Sequence, residues 1–281
     1  MRLCVDRVLA KSPADFRAAS RAIVRQGSRR GLLVHRVVDT HIHALVAGSR
    51  KDAGLFALYA ESSLSRVLRL PAPFEPARFT PIVELRHLYH AVRYVLRQGE
   101  RHGAAIDPTH DGSALPDLVG LRCILVGGGA RLSLALPRLA AGELEPLLGV
   151  EDFARSPFLA EHLADGAAAA LALPDLHGKD PERTALRRGA VAAAEGALDT
   201  ADIADALSIT SRAVMKMRRE RVPAVLVDAI RRQVRLRSAL AIHQKTPGQW
   251  TARTDLHIAD NDEIPSRVQT AFKRVHPDGG Q

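Results

Sequence analysis

LLVHRVVDTHIHALVAG, residues 32–48, and IVELRHLYHAVRYVLRQGE, residues 82–100, decide how this chain is read. The first is rich in β-branched residues and ends at Gly48, so Leu32 to Val46 is expected to form a long strand or a hairpin arm. The second repeats Leu85, Leu88, Val92 and Leu96 at a helical period, which predicts a helix with one apolar side. Ahead of both, SPADFRAASRAIVRQG predicts a helix capped by Ser12, with Pro13 in its first turn, Phe16, Ala19 and Ile23 on one face, and Gly27 at its end. The opening MRLCVDRVLA is strand-like, Asp52 to Leu70 is helix-like, and the Pro-rich PAPFEPARFTP separates that helix from the 82–100 segment. Strand, helix, strand, helix, helix predicts an α+β fold, one antiparallel sheet with helices packed on it.

Composition narrows the function classes. The 281 residues are 46% hydrophobic, enough for one large domain or for a catalytic domain plus a smaller module. With 40 Lys+Arg against 31 Asp+Glu the formal net charge is +9, which favours a polyanionic partner such as nucleic acid. No run approaches the roughly 20 apolar residues that span a bilayer, and MRLCVDRVLAKSP lacks the apolar stretch of a secretory signal. The expectation is therefore no membrane partner and a cytoplasmic location, nucleoid-associated when DNA is bound. Cys4 and Cys123 form no CxxC pair, so any metal must be held by His, carboxylate or amide groups.

The candidate chemistry lies in the two quoted segments. On an extended strand His41 and His43 point the same way, about 7 Å apart along the chain, close enough to share an ion. With 12 His in the chain, such a pair alone carries little weight. The helix adds His87, His90, Tyr94 and Gln98 at i, i+3, i+7 and i+11, a polar stripe holding a phenol and, one turn later, a third neutral ligand. A tyrosine oxygen can attack a phosphodiester and store the bond as phosphotyrosine, from which a DNA hydroxyl can recover it. A phenol with its ordinary pKa near 10 needs a cation beside the scissile phosphate, and two imidazoles with an amide leave Mg²⁺ or Mn²⁺ its charge and open positions. Tyr89, near the leucine face and followed at i+4 by Arg93, and Tyr59 are read as packing residues.

These residues resemble the HUH-superfamily single-tyrosine transposases, in particular the REP-associated tyrosine transposases, over about Pro13 to Arg101. THIHALV at 40–46 is similar to that family's His-hydrophobic-His motif, and RYVLRQ at 93–98 to its tyrosine helix, with the Gln four places after the tyrosine. The resemblance implies a sheet of ferredoxin-like or RRM-like type, His41, His43 and Gln98 as metal ligands, and Tyr94 as a nucleophile that forms a 5′-phosphotyrosine and frees a 3′-hydroxyl. The chain departs from the pattern at Thr40, at PAPFEPARFT and at QGERHGAA, positions that bear on DNA contacts more than on the metal.

A second DNA-binding element is expected in TADIADALSITSRAVMKMRRERVP. Ile203, Ala204 and Leu207 pack a first helix, Ser208 and Ile209 turn, Thr210 caps a second helix, and Val214 and Met217 bury it. Ser211, Arg212, Met215, Lys216 and Arg219 then face a major groove, joined by Arg231, Arg232, Arg235 and Arg237 of the next helix. The expected organisation is a catalytic domain over 1–105, a loop-rich and helical extension without chemistry over 106–180, a helix-turn-helix domain over 181–242 and a flexible tail over 243–281. Three functions fit: a transposase-like strand transferase on single-stranded, hairpin or repeat DNA, acting alone or as a homodimer; a non-catalytic DNA-binding regulator derived from one; or a relaxase or replication initiator. Aromatic residues make up only 4% of the chain, which favours backbone contacts over base stacking.

Overall fold

The structure is a computed structural model that describes residues 1–2, 8–38, 40–70, 72–98, 107–125, 132, 134–136 and 141–244, without the side chains of 141, 243 and 244. Half of the strand-like opening segment and nearly all of the expected tail lie outside the described residues. The fold is mixed α+β.

Helix α1 (Pro13–Gly27) starts with a reciprocal cap: Ser12 Oγ accepts from Asp15 N at 3.2 Å and an Asp15 carboxylate oxygen accepts from Ser12 N at 3.1 Å. Its buried side carries Phe16, Ala19 and Ile23, the face its sequence predicts. The 32–46 stretch folds as a hairpin, β1 (Leu32–Val37) against β2 (Ile42–Val46), with Arg36 opposite His43 and Val37 opposite Ile42. Helix α2 (Arg50–Val67) follows behind a Ser49–Asp52 capping box, and α3 (Leu85–Leu96) buries Leu88, Val92, Val95 and Leu96.

Two bridges widen the hairpin. Arg2 pairs with His41 on the free side of β2, where Ile42 N donates to Met1 O at 2.7 Å. Ser113 pairs with Arg36 on the free side of β1, where Val37 N donates to Gly112 O and Ala114 N to His35 O. The sheet thus consists of two regular strands, each flanked by a short bridged segment, in the order 1–2, β2, β1, 112–114. Opposed residues of an antiparallel pair share a face, so His35 and Ala44 look one way and Arg36 and His43 the other. Helix α1 covers the His35 face, with His35 Nε2 3.1 Å from Ser20 Oγ, and α3 covers the His43 face. With a helix on each side, β1 is buried along its whole length.

Further α-helices among the described residues are α4 (Leu115–Leu118), α5 (Ala141–Leu144), α6 (Leu163–Ala170), α7 (Pro181–Ala194), α8 (Thr200–Ala206), α9 (Ser211–Met217) and α10 (Ala224–Gln244). Buried apolar residues form two clusters. One joins α1, the hairpin, α2 and α3 to Ala114, Leu115, Leu121, Leu148 and Phe153; the other is built from α6 to α9. Described residues of the 106–180 stretch enter both: Ser113 pairs with β1 and Leu115, Leu121 and Leu148 join the first cluster, while Leu163, Ala167 and Leu173 join the second. Helix α10 enters both, with Leu226, Ile230 and Val234 in the helical core and Leu236, Ala239 and Leu240 under the sheet. Among the described residues no helix is long and apolar enough to cross a membrane.

Candidate active site and nucleic-acid interface

Strand β2 and helix α3 bring three of the expected site residues together. The rings of His41 and His43 are 4.7 Å apart between centroids, nearly perpendicular, and the ring of Tyr94 stands 5.4 Å from that of His43, also edge to face. Strand alternation explains the first pair, since Ile42 between them is buried in the core while both imidazoles turn to the α3 side. Two imidazoles bound to one ion through nitrogens at about 2.1 Å would place their centroids about 4.5–5.3 Å apart, so the observed spacing fits a shared cation. Thr40 Oγ1 lies 3.3 Å from His41 Nδ1, a hydroxyl partner that can fix the ring and leave Nε2 as the ligating nitrogen.

Tyr94 is 42% exposed and Gln98 is 1% exposed, although they belong to the same stripe. The Gln98 carboxamide folds back one turn, its Nε2 donating to the Tyr94 carbonyl at 3.2 Å, so its oxygen is the end that chemistry offers to a cation. His87 and His90 are exposed along the same side of α3. Tyr89 packs against the core with the Arg93 guanidinium 5.8 Å from its ring centre. Tyr59, expected to pack, is instead 45% exposed, with Arg30 stacked 4.6 Å over its ring. Among the described residues no group of three or more His, Cys, Asp or Glu gathers as a metal site; the ring contacts join His41, His43 and Tyr94, and Gln98 contacts the Tyr94 carbonyl.

Behind the imidazoles lies a charged cluster that the sequence reading missed. Arg36, across the hairpin from His43, is buried and places one guanidinium nitrogen 3.1 Å from His110 Nδ1 and 3.3 Å from Asp107. Asp107 accepts from the backbone N–H groups of Asp111 and Gly112 at 2.6 and 2.9 Å. Its burial pushes the carboxyl up to about 6 against the pull of Arg36, and burial, with Arg36 adding to it, takes His110 down to about 3. His35, buried beside Arg122 and Arg36, is likewise held well below the usual histidine range. Asp111, wholly buried, takes Arg237 at 3.2 Å and Arg17 at 3.8 Å, while Arg122 donates to its carbonyl at 2.8 Å. The only signal in the sequence was DPTHDGS, where two acids flank a turn, and its cationic partners lie far away along the chain.

The helix-turn-helix forms as its residues predict. Asp199 caps α8 and Thr210 caps α9, accepting from Ala213 N at 3.2 Å; Ile203, Ala204, Leu207 and Val214 are buried, and Met217 is partly so. Ser208 takes the left-handed backbone conformation in the turn, and Ile209 N donates to Ala204 O at 2.9 Å. Ser211, Arg212, Met215, Lys216 and Arg219 are all exposed.

The arginines of helix α10 have partners within the fold. Arg231 donates to the carbonyls of Ala193 and Ala192 at 3.1 and 3.2 Å, closing the end of α7, and Arg235 donates to the Ala154 carbonyl. Arg232 pairs with Glu145 at 2.5 Å and Arg237 is buried among Asp111, Asp165 and Gln233.

No family model, curated protein or solved structure matches this chain.

Proposed function

We propose that the chain is a metal-dependent DNA strand transferase that cuts and rejoins one strand through a 5′-phosphotyrosine on Tyr94. The observation that carries this reading is the meeting of His41, His43 and Tyr94 from two separate elements, with ring centroids at 4.7 and 5.4 Å. In this scheme His41, His43 and Gln98 hold a divalent ion, Mg²⁺ or Mn²⁺, which when bound supplies positive charge against the scissile phosphate. Tyr94, the most exposed of the four, presents its phenolic oxygen to the strand. That oxygen forms a bond to phosphorus as the phenol loses its proton, and the 3′-oxygen leaves and takes up a proton to become a hydroxyl. Reversal with a different 3′-hydroxyl rejoins the strand and restores the phenol, so no external energy source is needed. The exposed Arg212, Lys216 and Arg219 are assigned to duplex phosphates and groove edges, with Ser211 beside them.

The test is incubation of the full chain with end-labelled single-stranded and hairpin DNA and Mn²⁺. A covalent protein–DNA adduct is expected from the wild type and none from Tyr94→Phe. An adduct that persists in Tyr94→Phe relocates the nucleophile, and no adduct from either protein over a hairpin library, with duplex binding intact, favours the non-catalytic regulator.

A further inference from the structure

The tyrosine site and the helix-turn-helix are not joined by a tether. Met1–Lys245 is one compact unit, and α10 runs through it for 21 residues, about 30 Å at 1.5 Å per residue. At the crossing between the two cores, Asp165 of α6 receives Arg17 of α1 at 2.6 Å and Arg237 of α10 at 2.5 Å, and Arg237 reaches Asp111 at 3.2 Å. Gln233 Nε2 donates to the Leu121 carbonyl at 2.9 Å, Cys123 N to the Ala170 carbonyl at 3.0 Å and Arg21 to the Leu171 carbonyl at 2.8 Å. Turning one module against the other would part Asp165 of α6 from the buried Arg17 and Arg237 and break the three hydrogen bonds above, a loss of pairing that low-dielectric interiors penalise.

From this seam we propose that the protein is a fixed-span ruler: its substrate is a DNA in which a duplex segment gripped by the exposed side of α9 lies a set number of base pairs from the single-stranded phosphodiester presented to Tyr94. The proposal rests on the roles given above to Tyr94 and to Arg212, Lys216 and Arg219, and adds a constraint that neither role contains. Inserting about five base pairs turns the strand by half a helical turn and carries the cleavage point to the far side of the duplex axis. Because even a small misplacement of reacting atoms can cost roughly a hundredfold in rate, a rigid protein cannot follow that turn.

The experiment uses the full chain, Mn²⁺ and a pool of hairpins with a randomised stem block separated from a constant single-stranded segment by spacers of graded length. Covalent adducts are isolated and their spacers counted. The expected result is enrichment of one spacer length by at least roughly tenfold, with spacers one full turn longer not enriched, since a turn moves the cleavage point about 34 Å along the axis. The triple variant Arg212→Ala, Lys216→Ala, Arg219→Ala is expected to keep forming adducts while losing the enrichment. Adducts at equal yield for every spacer in the wild type overturn the ruler and leave the tyrosine chemistry standing. Failure of any adduct to form overturns the ruler together with the reading beneath it.

Discussion

Arg36 and Gln98 set the residue-scale demands of the site. Arg36 is 4% exposed, shares its charge with Asp107 and sits opposite His43, so its loss leaves a buried carboxylate without its counter-charge. Arg36→Ala is expected to lower stability by about 3–5 kcal/mol, read as a shift of the urea midpoint at constant slope. An unchanged midpoint would show that the pair holds nothing together. Gln98→Leu keeps bulk and apolar burial but removes the amide oxygen, so under the proposed chemistry the Mn²⁺ concentration for half-maximal adduct formation should rise at least roughly tenfold with the fold intact. The imidazole pair and Tyr94 were legible in the sequence because strand alternation and the helical period place side chains by local geometry alone. Asp111, Arg17 and Arg237 were not, because their pairing spans up to 126 residues and follows only from tertiary packing.

At the scale of elements, the helix-turn-helix was legible down to its cap, since turn and cap chemistry are local. Thr210→Ala is expected to cost about 1 kcal/mol, measured by thermal unfolding. Helix α10 is harder to read, because an arginine-rich face looks alike in sequence whether it meets phosphates or the carbonyl ends of neighbouring helices. The two roles separate in salt titrations of DNA binding. Removing Arg212, Lys216 and Arg219 should flatten the dependence of log K on log salt by about 0.9 for each lost phosphate contact, whereas Arg231→Ala should leave the slope unchanged and lower stability. Close packing makes a further demand on these helices. A β-carbon on Gly166 of α6 would come within 2.9 Å of Val234 Cγ2 and 3.1 Å of its backbone N, and one on Gly189 of α7 within 2.8 Å of Ile230 Cδ1. Gly166→Ala, which faces unyielding backbone, should destabilise by about 1–3 kcal/mol in urea and by more than Gly189→Ala, where a side-chain tip can move.

For the whole molecule the buried titrating groups of the 107–114 turn and β1 dictate the response to acid. His35 and His110 are held neutral, His110 down to about 3, so folding favours the deprotonated ring. Their contributions are complete above the unfolded histidine value of about 6.5 and drain away as pH falls toward the folded values, each at about 1.4 kcal/mol per pH unit. Asp107 works in reverse: its carboxyl is raised to about 6, so its contribution grows as pH falls from about 6 toward the ordinary carboxylate range and is complete below it. Between about pH 6 and 4 the loss at His110 and the gain at Asp107 oppose each other, and His35 adds to the loss, so stability is expected to fall with acid. Below about pH 4 the Asp107 gain is exhausted, while Asp165, held low because Arg237 and Arg17 outweigh its burial, begins to lose its ion pairs, so the decline steepens. His110→Asn isolates the effect. His110 has φ 55°, a left-handed conformation that Asn tolerates, and the Asn amide oxygen can still accept from Arg36. Urea midpoints at pH 7, 6, 5 and 4.5 should fall more steeply for the wild type than for His110→Asn below about pH 6, because the variant lacks one of the two rings that folding keeps neutral. Parallel curves for the two proteins would mean that the acid response comes from elsewhere in the chain.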